Sequence, residues 1–189
     1  ALLVGCLCVC VAVDLVLVKR GAGASARKAI AVIGAVFGVL LSFMAGESYL
    51  MEARPNWCSQ LLPLGYLLTA VPEGIAAYLV VVAAKAKGAD VAPYGRALLV
   101  GGVLAAVGAA AYVLWAGPAD GVQWALLVVA VLGAGAVPAA CGALLGKKPE
   151  NLMAMAGGSL ACAFVGAVSY RCIMWLITVP IANLFLNVL

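Results

Sequence analysis

Glu47, Tyr49, Tyr66, Glu73 and Arg171 are the residues of this 189-residue sequence whose types can move protons or hold a polar ligand. Each lies in or beside a long apolar run, where an ionisable group is costly and is therefore a candidate for function. Glu73, within TAVPEGIAAY, is the deepest. It falls about 12 residues into its run, or roughly 18 Å at 1.5 Å per residue. The adjacent Pro72 removes a helix hydrogen bond and is expected to kink the chain there. A carboxyl at that depth reads either as a proton-accepting or ligand-binding group, or as a neutral acid bonded to a neighbouring helix. Glu47 and Arg171, counted from the opposite face, reach one level roughly 28–30 Å up. They are predicted to face the interior and pair, or to share a polar pocket with Tyr49, Tyr66 and Tyr170. The alternative is that both snorkel to water. Asp14, close to Lys19, reads as a helix-end charge.

The composition excludes much other chemistry. There is no histidine, so this chain cannot supply bis-histidine haem ligation, and a His-based zinc site or proton relay is ruled out. Cys6, Cys8 and Cys10 alternate inside an apolar stretch, and Cys58, Cys141, Cys162 and Cys172 are scattered. Neither pattern is an iron–sulfur motif, and the cysteines are expected to be small buried hydrophobes. No phosphate-cradling loop or nucleophile elbow occurs. The basic residues read as solvated anchors, not a nucleic-acid surface. No catalytic residue and no metal ligand is assigned.

The elements that must carry these groups are membrane helices. Apolar residues make up 67% of the chain and charged residues 10%; the mean hydropathy is +1.21. A soluble chain of this length has too little interior to hide so much apolar surface. The expected fold is all-α: a polytopic bundle of six spanning helices forming a single transmembrane domain over 1–189. The spans are placed at about 1–18, 29–50, 61–84, 96–116, 121–146 and 151–178. The opening ALLVGCLCVC has no methionine and no basic region before it, so the chain is expected to be a piece that has lost its beginning.

Nine of the eleven Lys and Arg residues fall in alternate connections. The positive-inside rule therefore predicts that 19–28, 85–96 and 147–150 are cytoplasmic. Both ends and the loops around Pro55 and Asp120 would then lie outside. Trp57, Trp115, Trp124 and Trp175 fall near that outer interface, as an aromatic belt would. Runs of small residues such as GAVFG (34–38), GGVLAAVGAAA (101–111) and GAGAVPAACG (133–142) predict close helix packing, with Gly34 and Gly38 spaced for it.

Two motifs carry a family resemblance. YLMEARPNW places Tyr49 a few residues before a Pro-x-Trp turn, Pro55 to Trp57, which joins an outward-running helix to an inward-running one. GAVSYR places Gly166 five residues before Arg171 in the last span. Together they resemble the membrane anchor subunit of dimethyl sulfoxide reductase, within the wider polysulfide-reductase membrane subunit superfamily. That family has eight spans with both ends outside, and the six here would correspond to its last six. The resemblance implies an anchor in a bacterial cytoplasmic membrane that holds a molybdopterin catalytic subunit and an iron–sulfur subunit. It implies that menaquinol binds near the outer side and its electrons pass to the iron–sulfur chain, the anchor itself holding no redox cofactor. Glu47, Tyr49, Tyr66, Glu73 and Arg171 would then line the quinol site, and Arg54, Pro55 and Trp57 would form a docking surface. This chain carries Ala167 where the family tends to have a glutamate, and the family's quinol-site histidine belongs to helices that precede these six.

Two other readings compete. A small-solute transporter or channel would use Glu73 beside Pro72 as a coupling carboxylate at a broken helix. A purely structural subunit would use its polar groups only to fix helix packing.

Overall fold

The computed structural model describes residues 2–85 and 90–177. Lys87, in the third connection, and Thr178, the last residue of the sixth expected span, lie outside the described residues. Six helices are long and apolar enough to cross a membrane: α1 (Leu2–Lys19), α2 (Ala24–Glu47), α3 (Leu61–Lys85), α4 (Ala92–Ala116), α5 (Gly121–Leu145) and α6 (Leu152–Leu176). No strand occurs among the described residues. The chain is a multi-pass membrane protein with an all-α fold.

Most boundaries fall within a residue or two of the expected ones. α2 and α4 differ, and local sequence explains both. α2 starts inside the first basic connection, at Ala24, because the turn is confined to a few residues by Gly21, whose φ is +65°. Such a backbone suits glycine, and the chain re-enters a helix at once. α4 starts at Ala92, where Pro93 occupies the first turn and the Asp90 carboxylate accepts a bond from the Ala92 N–H at 3.0 Å. Proline is tolerated in a first turn because its missing N–H has no partner there anyway. Asp120 caps α5 in the same way, accepting from the Gln123 N–H at 2.8 Å.

Helices α3 to α6 form the packed core, and α2 leans on α3. The sizeable contacts of α1 are with α2, and α1 contributes no buried residue. The core helices meet through glycine. Gly95 faces the backbone of Gly142, Gly102 faces that of Gly135 and Ala139, and Gly133 faces Cys162 and Gly166. Backbones can approach this closely only where no Cβ intervenes. The expected contact pair, Gly34 and Gly38, does not play this part: Gly34 has only Cys10 near it and Gly38 has nothing within 4 Å. Both lie on the α1–α2 side, where packing is sparse.

One stretch of α5, Val131–Ala136, is wound as a π-helix, and the Val137 N–H bonds the Leu132 carbonyl five residues back. Pro138 follows directly. A proline has no N–H, and its ring clashes with the carbonyl four residues before it. Widening the turn accommodates that clash. The same widening presents Gly133 to α6 and Gly135 to Ala106 of α4.

The cysteines are not buried. Cys8, Cys58 and Cys172 are exposed, and the other four are half-buried. Cys141 still packs against the core and Cys10 faces Gly34 of α2, while Cys8 and Cys172 lie on exposed helix faces, where lipid receives a small apolar thiol as well as a core would.

Candidate functional site

Of the expected site residues, Tyr49, Tyr66, Arg171, Arg54 and Trp57 converge at the end of the bundle formed by the 48–60 segment and the C-terminus of α6, whereas Glu73 lies deeper on α3. Ser48 to Gln60 fold back across this end, with Pro55–Trp57 forming one 3-10 turn. A helix terminus leaves its last carbonyls without partners in the helix. Here three of them receive side-chain donors from elsewhere. The Trp57 Nε1–H donates to the Met174 carbonyl at 2.9 Å, and the Asn56 Nδ2–H to that of Ile177 at 3.0 Å. The Gln123 Nε2–H, from α5, donates to that of Leu176 at 3.1 Å. Tyr112 of α4 completes the seal, its hydroxyl donating to the Asn56 carbonyl at 3.0 Å.

Beneath this seal lies a continuous aromatic cluster. Trp57 meets Trp175 edge-on at 4.9 Å between ring centroids, and Tyr49 at 5.7 Å. Tyr49 lies 6.0 Å from Tyr66, Tyr66 lies 5.9 Å from Tyr170, and Tyr170 lies 5.5 Å from Tyr112. Apart from the tilted Tyr49–Tyr66 pair, these contacts are edge-to-face and add to packing because the positive ring edge meets a negative face. The Tyr170 hydroxyl donates to the Leu62 carbonyl at 3.2 Å, and the Tyr66 hydroxyl lies 3.6 Å from Met174 Sδ.

Two guanidinium groups lie on the cluster. Arg54 sits 4.3 Å from the Trp57 ring centroid and 5.9 Å from that of Trp175. Arg171 sits 4.8 Å from the Tyr66 centroid, and its Nη1–H donates to the Ala167 carbonyl at 3.0 Å. Cations are drawn to ring faces by the aromatic quadrupole. Glu73 is half-buried on α3, seven residues beyond Tyr66. Side chains on a helix lean toward its N-terminus. Arg171 accordingly reaches back along α6 to Ala167 and over Tyr66 of α3.

The expected Glu47–Arg171 ion pair is absent. Among the described residues the one ion pair is Arg27 with Asp14, at 3.6 Å. Arg171 leans back along α6 to Ala167, which takes it away from the C-terminus of α2. Glu47 accepts instead from Gln60 Nε2 at 3.5 Å through Oε1, while Oε2 is buried without a hydrogen-bond partner. Asp14 likewise pairs with Arg27 across the α1–α2 seam, not with Lys19 on its own helix.

Trp57 does not present a docking surface, because it is 2% exposed and belongs to the core. Arg54 is half-buried, and Pro55 is exposed beside it. Nor does Trp57 belong to an aromatic belt. Trp115, Trp124 and Trp175 remain about half exposed and can serve as one.

Tyr112, Asn56 and Gln123 were not among the expected site residues. Asn56 and Gln123 carried a usable signal, as polar side chains next to helix ends that need donors. Tyr112 follows a run of alanines and carried none.

The chain matches no protein-family model, no curated protein and no solved structure.

Proposed function

We propose that this chain is the membrane anchor of a molybdopterin oxidoreductase complex, and that menaquinol is oxidised at the aromatic end of α3 and α6. The observation that carries this reading is the convergence of Arg171, Tyr49 and Tyr66 at one end of α3 and α6, with Glu73 seven residues beyond Tyr66 on α3. A quinol that becomes a quinone releases two electrons and two protons. Its oxygens need a donor to hold them and a base to take the protons. Arg171 is the donor, with guanidinium hydrogens not used by Ala167. Glu73, deeper on α3, is one base, and the unpartnered Oε2 of Glu47 is a second acceptor at the aromatic end. The electrons leave to an iron–sulfur subunit docked beside Arg54 and Pro55. With 19–28, 85–96 and 147–150 facing the cytoplasm of a bacterial cell, this end faces outward.

The test is purification of the native complex in mild detergent, followed by titration with a soluble menaquinol analogue while the iron–sulfur signals are recorded. Arg171→Gln is expected to slow cluster reduction about 10- to 100-fold, the worth of one hydrogen bond to a charged group. Glu73→Gln is expected to slow it as well, with little change in analogue affinity. A chain that purifies without a partner and gives no quinol response refutes the proposal. Solute flux that depends on Glu73 in reconstituted vesicles would favour the transport reading instead.

A further inference from the structure

A groove of about 280 Å³ runs along the α1–α2 seam, far from the aromatic end. It is lined by Leu7, Cys10, Val11, Asp14 and Leu15 on α1 and by Ile30, Ala31 and Gly34 on α2. Residues four apart on a helix share a face. On α1 the register Leu7, Val11, Leu15 therefore continues to Lys19, the last residue of the helix. On α2 the register Gly34, Ile30 or Ala31 continues back to Arg27 in its first turn. The groove thus ends at two cations, both exposed. Asp14 holds the guanidinium at Nε, 3.6 Å away, which fixes Arg27 at the mouth. Arg20, in the turn between the helices, adds a further charge that no carboxylate in this hairpin offsets.

From Leu7 to Leu15 the groove extends about 12 Å at 1.5 Å per residue. One leaflet of a roughly 30 Å hydrocarbon core is about 15 Å deep. The walls are apolar apart from Asp14 at the charged end. The shape and charge match one occupant, a molecule with an acyl chain below and an anionic headgroup above. We infer that the α1–α2 hairpin is a binding site for an anionic phospholipid of the leaflet that the Lys19–Arg27 turn faces. Its phosphate lies between Lys19, Arg20 and Arg27, and one acyl chain lies in the groove. This does not depend on the proposed quinol chemistry, because the two sites are at opposite ends of the helices.

The test is native mass spectrometry of the full chain released from bilayers containing equal phosphatidylglycerol and phosphatidylcholine with identical acyl chains. The parent chain is expected to retain phosphatidylglycerol in about tenfold preference, given the attraction of each basic residue to an anionic surface. The double substitution Lys19→Gln, Arg27→Gln should abolish the preference. Ala31→Phe, which fills the groove and leaves the charges in place, should also abolish it. Lys28→Gln, which removes a charge outside the groove's helix face, should leave it largely intact. Free inorganic phosphate should not displace the lipid, because the acyl chain holds it. Equal retention of the two lipids by the parent chain overturns the inference. So does a loss in Lys28→Gln as large as that in the double variant, since that result would mean diffuse surface attraction. If the double variant does not fold, Ala31→Phe and Lys28→Gln still separate the two outcomes.

Discussion

Trp57→Ala is expected to lower stability by about 3–5 kcal/mol, the range for removing a large buried aromatic side chain. The residue is 2% exposed and takes part in several contacts at once. Its ring meets Trp175 and Tyr49 edge-on and carries the Arg54 guanidinium on one face, while its N–H holds the Met174 carbonyl. In a bilayer the loss is one of packing and hydrogen bonding, since lipid tails are as apolar as the protein interior. Trp57→Phe keeps a ring but leaves the Met174 carbonyl without its donor. It should cost about 1–3 kcal/mol, the penalty for one unsatisfied buried group. Denaturant or thermal unfolding in a mild detergent, followed by circular dichroism, reads both values. If Trp57→Ala stays within about 1 kcal/mol of the parent, the turn is a loose flap and the end of the bundle is not sealed.

The second large effect is expected at Gly166. A Cβ there would collide with the amide of Ala134 and come within 2.8 Å of the Gly133 carbonyl carbon and 2.9 Å of the Ala134 Cα. All three are backbone atoms of the π-wound stretch, so no flexible side chain can swing aside. Gly166→Ala should therefore destabilise by about 1–3 kcal/mol, as overpacking does, and Gly166→Val should prevent the chain from accumulating. Gly38→Ala is the control, since nothing lies within 4 Å of it. There the better helix former should be neutral or stabilise by up to about 1 kcal/mol. Equal tolerance at the two positions would mean that α5 and α6 do not meet at these glycines.

How much of this was legible in the sequence follows from what a period or a composition can encode. The helices were readable because a run of about 20 apolar residues has one solution in lipid. Their partners were not. GAVFG and GAGAVPAACG are both rich in small residues, yet only the second faces another backbone, because α1 and α2 lie beside the packed core. The level of Glu47 and Arg171 followed from counting residues, but level alone does not make a pair. The lean of a side chain along its helix decides which neighbour it reaches, and that took Arg171 to Tyr66. Trp57 was misread as a surface residue because its place in a polar loop says nothing about whether the loop folds inward. The π-wound stretch had a partial signal in Gly133, Gly135 and Pro138, a proline in mid-span preceded by residues that allow rearrangement.

The arrangement of α1 also bears on how the molecule comes apart. Its main interface is with α2, whereas each core helix is held by more than one neighbour. Regions with little buried contact open at lower free energy than the core. α1 is therefore expected to open before α2 and the four-helix core, since α2 is also held by α3. Pulling from the α1 side would release that helix first, with the aromatic seal of α6 still closed.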